Sequence, residues 1–298
     1  MNKSSRIQSQ IGRLSGPSAE RIAAAANSFR VDPLPPDCGG IERLDCYLLY
    51  SAVLPEPESR QFSVALPRAY FEDPGRRFPV FYLHDGQNLF DPHTSYIPGS
   101  TWQANETADR LAAAGAIEPV ILVGINNTGL RRMAEYTPTR DFRLGGGEGH
   151  LYGQLLVEEL KPFIDSTYRT RTDASETGLG GSSLGGLVSL YLGLRYPEIF
   201  GRLAVISPSI WWDHRSVLTL VSRLEQKLDL KIWLDIGTGE GQRHVRDTDL
   251  LNQMLIRKGW RAGQDLSMTV VPGAVHSEHA WASRFDQILE FLYPPSAC

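Results

Sequence analysis

The chain has 298 residues, 42% of them hydrophobic and 21% charged, the composition of a globular protein large enough to bury a sizeable core. Its 30 Lys and Arg against 34 Asp and Glu leave a formal charge of -4, so no basic excess argues for nucleic acid or an anionic membrane. No apolar run approaches the ~18 residues of a membrane span.

Residues 1–40 are polar and alanine-rich and close on the proline-rich VDPLPPDCGG. Their longest apolar stretch, Ile22 to Ala26, is too short for the core of a signal peptide. They read as an extension or a short helix laid on a single domain spanning 41–298. Cys38, Cys46 and Cys298 are spaced neither as a disulfide framework nor as a CxxC metal site, and free thiols in a reducing cytoplasm are expected. Eight apolar or β-branched segments then read as strands: Leu44 to Tyr50, Phe62 to Leu66, Pro79 to Leu83, Val120 to Ile125, Thr177 to Gly181, Leu203 to Ile206, Lys231 to Ile236 and Met268 to Val271. The first two look like a hairpin. From the third strand onward, amphipathic helical patterns alternate with the strands, which predicts a mostly parallel eight-stranded α/β sheet with helices on both faces. Pro162 falls inside one of these patterns and should kink it. The stretch Gly145 to Gly149, GGGEG, reads as a mobile loop.

Between the fifth strand and its helix lies GGSSLGG, with Gly-x-Ser-x-Gly centred on Ser183. A serine at a sharp strand-to-helix turn needs small neighbours on both sides, and the turn sets its hydroxyl beside the Leu184 amide at the positive end of a helix. The hydroxyl needs a base, and the base needs a carboxylate to fix its tautomer. In an α/β-hydrolase sheet the chain order is nucleophile, acid, histidine. His276, in the loop after the last strand, is favoured over His279, which opens the final helix; no third ligand is spaced to make the two a metal site. Glu240, in the loop after the seventh strand, is favoured over Asp235, which lies within that strand and reads as structural. Gly86 and Gln87, after the third strand, are the candidates for the second oxyanion amide, while His84 and Asp85 are assigned to loop structure. Trp211 and Trp212 follow the sixth strand, and at least one is expected to line a substrate pocket. Arg131, Arg132 and Glu135 face the same edge and could either meet an anionic substrate or pair with one another.

The segments HDGQNLFD (84–91), VGINN (123–127), EYTP (135–138), VEELKPFID (157–165), GGSSLGGL (180–187), SPSIWW (207–212), DIGTGEG (235–241) and HSEHAW (276–281) together resemble the esterase family of α/β-hydrolases. That family includes feruloyl and acetyl esterases, S-formylglutathione hydrolase, siderophore esterases and mycolyltransferases. The likeness is strongest to siderophore esterases in DGQNLFD, EYTP and SPSIWW, and it departs where Glu240 stands in place of the Asp of many relatives. The resemblance implies Ser183 as nucleophile, Glu240 as acid and His276 as base of a cofactor-free, metal-free serine ester hydrolase acting on a small-molecule ester. Transfer of the acyl group to an alcohol, or binding without catalysis on the same scaffold, are the competing readings.

Overall fold

The computed structural model describes residues 29–34, 43–54 and 59–295. Among these residues nine strands, β1 (Arg30–Pro33), β2 (Leu44–Tyr50), β3 (Ser59–Ala65), β4 (Val80–His84), β5 (Ile121–Ile125), β6 (Thr177–Ser182), β7 (Arg202–Ile206), β8 (Lys231–Gly237) and β9 (Leu266–Val271), form one sheet. Its spatial order is β1-β2-β3-β5-β4-β6-β7-β8-β9. Pairings from β1 through β3 to β5 are antiparallel, and those from β5 to β9 are parallel. The sheet has one strand more than expected: β1 comes from the stretch read as an extension and pairs with β2 at the edge. Four residues ending in proline carry no readable alternation, and an edge is where a strand proline is tolerated.

Among the described residues the helices are α1 (Ala69–Glu72), α2 (Ala104–Ala113), α3 (Arg132–Glu135), α4 (Gly149–Gln154), α5 (Lys161–Thr167), α6 (Leu184–Arg195), α7 (Trp212–Ser222), α8 (Gln242–Arg257), α9 (Glu278–Ala282) and α10 (Phe285–Leu292). They cover both faces. Val80 and Tyr82 of β4 face the core that also holds Leu187 and Leu190 of α6 and Leu251 and Leu255 of α8. Phe81 and Leu83, pointing the other way, pack with Leu111 of α2 and Phe285, Ile288 and Leu289 of α10. Burial on both faces is why these strands read as unbroken apolar runs. The expected break at Pro162 takes the form of a π-helical turn, Leu155–Leu160, after which α5 restarts with the proline in its first turn. There the missing N–H costs no hydrogen bond.

Two expectations need correction. Cys46 is disulfide-bonded to a partner outside the described residues, so the cysteines are not three free thiols. Nor does GGGEG behave as a free loop: Asp141 and Gly145 exchange backbone hydrogen bonds, and the Gly147 amide donates to Thr137 Oγ1 at 2.9 Å. Among the described residues no helix is long and apolar enough to cross a membrane.

Parallel pairing sends the carboxyl ends of β4 to β9 to one edge of the sheet, so the loops carrying residues 85, 126, 183, 207, 238 and 272 all leave from that edge. In open α/β sheets that edge is where ligands bind.

Candidate active site

Ser183 joins β6 to α6 with φ 61 and ψ -120, a strained conformation for a residue with a side chain. The surroundings hold it there. Its amide donates to the Ile206 carbonyl at the end of β7, and its carbonyl accepts from the Ser209 amide, both at 3.0 Å. A Cβ on Gly186 would come within 2.8 Å of the Ile206 carbonyl oxygen, whereas one on Gly185 would meet only ordinary contacts. The glycine that lets the helix approach the sheet therefore lies one residue beyond the Gly-x-Ser-x-Gly motif.

From this turn runs a continuous hydrogen-bonded line. Ser183 Oγ lies 2.9 Å from His276 Nε2, and His276 Nδ1 lies 2.7 Å from Glu240 Oε2. The other carboxylate oxygen accepts from the Ser207 hydroxyl at 2.6 Å and from the Gly237 amide at 2.9 Å. Burial by itself would raise the Glu240 carboxyl, but the donors from His276, Ser207 and Gly237 outweigh it and hold the group below the usual glutamate value. The carboxylate side chain is only 3% exposed, while that of His276 is 46% exposed, so the carboxylate is shielded and the imidazole faces solvent.

Backbone contacts between two loops set this alignment. The Gly239 amide donates to the Ala274 carbonyl at 2.9 Å, and the Gly273 amide donates to Thr238 Oγ1 at 2.7 Å. The loop bearing Glu240 and the loop bearing His276 are thus tied together before their side chains meet. Trp281, one turn along α9, stands edge-on to the imidazole with ring centres 4.8 Å apart. Glu278, between them, accepts from Asn88 and from the Trp102 indole, fastening α9 to the loop after β4. In HSEHAW the first, third and last residues each have a distinct contact, whereas His279 is exposed on α9. Among the described residues no group of three His, Cys, Asp or Glu side chains could hold a metal ion.

Asp235 has the structural setting expected of it. It is fully buried and accepts from Arg284 Nη2 at 2.9 Å, the Ser207 amide at 3.1 Å and the Trp233 indole at 2.8 Å. His84 closes β4 and is buried against the Tyr152 hydroxyl at 2.8 Å; burial lowers its pKa to about 3, so it is neutral. Asp85 makes a two-pronged pair with Arg132, both bonds at 2.7 Å, and also accepts from Asn127.

A cavity of about 190 Å³ opens at Ser183, lined by Ser207, Ser209, Trp211, Ile236, Glu240, His244 and His276 among others. Trp211 is thus at the cavity. Trp212, expected beside it, is instead wholly buried and donates to the Thr139 carbonyl at 2.8 Å, closing the 137–149 loop from below. Each of the three charged side chains after β5 has a partner of opposite charge, though not one another: Arg131 pairs with Glu148 at 2.7 Å, Arg132 with Asp85, and Glu135 with buried Arg60 at 2.6 Å. Leu184 opens α6, while Gly86 and Gln87 open a 3₁₀ turn at 86–88, and amides in a first helical turn have no partner within their own helix. The sheet itself requires glycine at 86: a Cβ there would lie 2.4 Å from the Gly124 carbonyl carbon of β5. Sequence reasoning missed Ser207, Ser209 and His244, although the serines lie within the SPSIWW segment. Around the same edge, Tyr96, Leu130, Phe142 and Leu144 are exposed apolar side chains on the loops after β4 and β5.

A model of the family described as "Putative esterase" matches residues 54–292. The chain belongs to that family. As a family member it is a carboxylic ester hydrolase with the α/β-hydrolase fold. It is 29% identical over 248 residues to "Uncharacterized protein YbbA" of Bacillus subtilis (strain 168), covering 79% of this chain and 93% of that one. It is 26% identical over 208 residues to ferri-bacillibactin esterase BesA of the same strain, covering 63% and 68%. Its fold is similar to that of the BES protein from Bacillus cereus, with TM-score 0.68, 21% identity and coverage of 85% and 95%. It is also similar to the siderophore hydrolase EstB from Aspergillus nidulans, with TM-score 0.66, 18% identity and coverage of 87% and 97%.

Proposed function

We propose that this esterase works through a Ser183-His276-Glu240 triad and a covalent acyl-enzyme. The observation that carries the proposal is the unbroken line from Glu240 through both imidazole nitrogens to Ser183 Oγ at the mouth of the cavity. Glu240 accepts the proton on His276 Nδ1, which leaves Nε2 free to take the Ser183 proton as Oγ attacks the ester carbonyl carbon. The Leu184 amide and that of Gly86 or Gln87 stabilise the resulting oxyanion. Imidazolium returns the proton to the departing alcohol, and water repeats the cycle in reverse roles to release the acid. Because Ser183 is already held in its strained turn, no reorganisation of the backbone precedes attack.

The substrates proposed are esters of the siderophore type, in keeping with the ferri-bacillibactin esterase BesA and the siderophore hydrolase EstB, together with simple aryl or acetyl esters. The same proposal takes residues 41–298 as the catalytic domain, with β1 from the preceding stretch added at the edge of its sheet. Ser183→Ala, assayed on a panel of acetyl, aryl, feruloyl, thioester and trilactone substrates, tests it. Hydrolysis of the preferred ester should disappear while the melting temperature is unchanged, and a fluorophosphonate should label the native protein but not the variant. Near wild-type turnover by Ser183→Ala would remove Ser183 from the mechanism.

A further inference from the structure

The geometry points to Ser207 as a positioning residue for Glu240, with the buried Arg284 fixing the direction in which the Ser207 hydroxyl donates. The inference rests on the triad reading and adds a further link behind its acid.

Ser207 follows β7 directly and is 2% exposed. Its φ of 41 is unusual for a residue with a side chain. Its amide is held by the carbonyl and the Oδ1 of Asp235, each at 3.1 Å. The hydroxyl oxygen stands between two groups of opposite kind, Glu240 Oε1 at 2.6 Å and Arg284 Nη2 at 2.8 Å. A guanidinium can only donate and a carboxylate can only accept. Ser207 therefore accepts from Arg284, and its single proton has one direction left, toward Glu240. No choice of tautomer enters.

Arg284 is itself immobile. It is 2% exposed and donates to Asp235 Oδ1 at 2.9 Å and to the Ala280 carbonyl at 2.8 Å. Asp235 belongs to β8 and is held from its far side by Trp233. The anchor behind Ser207 is thus an ion pair lodged between the sheet and the α9–α10 junction, outside the loop that carries Glu240.

This independence gives Ser207 its role. Without the hydroxyl, Glu240 Oε1 would keep only the Gly237 amide, a group of its own loop. Rotation about the last bond of a glutamate side chain is soft, so a carboxylate held only by its own loop and by the solvent-facing His276 can turn. A donor from the sheet edge removes that freedom and stabilises the anion. The charged or titratable neighbours are His276 across Oε2, Arg284 and Asp235 behind Ser207, and His244 across the cavity.

The test uses Ser207→Gly, which accepts a positive φ, and Ser207→Ala, in the full-length enzyme with p-nitrophenyl acetate. A hydrogen bond to a charged group corresponds to about ten- to hundredfold, expected here in kcat with KM within about twofold. The acid limb of the kcat profile should move to higher pH, because Glu240 loses a donor that favours its ionised form. In a Glu240→Gln background the same Ser207→Gly change should cost less than about twofold, since the group it positions is gone. Wild-type kcat with a superimposable pH profile, an undiminished penalty in the Glu240→Gln background, or failure of both Ser207 variants to fold would each overturn the inference. If Glu240→Gln alone turns over normally, the triad reading fails; if it collapses while Ser207→Gly does not, only the present inference fails.

Discussion

Exchanging Glu240 for glutamine leaves the shape of the site almost unchanged and reverses the sense of one hydrogen bond. Three donors converge on the carboxylate: His276 Nδ1–H at 2.7 Å, the Ser207 hydroxyl at 2.6 Å and the Gly237 amide at 2.9 Å. A glutamine has one acceptor oxygen, and two of the donors already meet at the position of Oε1, so the amide nitrogen is left facing His276. It can only donate, which drives the imidazole proton to Nε2, against Ser183 Oγ, where a base is needed. The same inversion in well-studied serine proteases costs about 10⁴-fold in turnover, or ~5.4 kcal/mol at 1.36 kcal/mol per tenfold. Stability should change little, because the shielded charge is lost together with its desolvation cost. Asp235→Asn provides the contrast. It leaves Arg284 buried without its counter-charge, a loss of about 3–5 kcal/mol and on the order of 10 °C in melting temperature. Initial rates with p-nitrophenyl acetate and a thermal melt on both variants separate the two roles. A Glu240→Gln enzyme within tenfold of wild type, or a catalytic collapse confined to Asp235→Asn, would refute the assignment of the acid.

Three further outcomes are expected. His84 has a folded-state pKa of about 3 against roughly 6.5 when unfolded; its contribution is present above pH 6.5 and is lost as pH falls toward 3. Between pH 6.5 and 5.0 this amounts to ~2 kcal/mol, so urea unfolding at pH 7.5 and 5.0 should show a drop that His84→Gln reduces by about that much; equal drops would refute it. Trp211→Ala should lower kcat/KM for aryl esters by up to about tenfold and for acetyl esters much less, and equal losses on both would take the indole out of substrate contact. Turnover should survive prolonged exposure to a strong chelator; loss restored by one metal would contradict the proposed chemistry.

The parallel half of the sheet is legible from sequence because strands buried on both faces must be apolar throughout. The turn at Ser183 and the loops after β8 and β9 are legible because the chemistry restricts residue type. β1 is not, being four residues at an edge. The ties between residues 238–239 and 273–274 are made chiefly by backbone groups, which leave little signature in residue identity. Arg284 is hidden for a different reason: in a helical pattern it looks like a solvated charge, and its counter-charge lies 49 residues away. Trp212 shows the limit of adjacency, since consecutive positions at the entry to α7 point to opposite environments.

The proposed triad and its supports come from the exits of β6, β7, β8 and β9, whereas the exposed Tyr96, Leu130, Phe142 and Leu144 stand on the loops after β4 and β5. The two sets are separate stretches of chain, residues 89–148 and 183–284, with the 86–88 turn and its proposed oxyanion donor at the foot of the first. The outer collar of the molecule can therefore diverge while Ser183, His276 and Glu240 stay as they are. A collar transplanted from another member of the family beyond that turn, keeping the contacts of Asp85 with Arg132 and of Glu278 with Asn88 and Trp102, would meet the same three side chains.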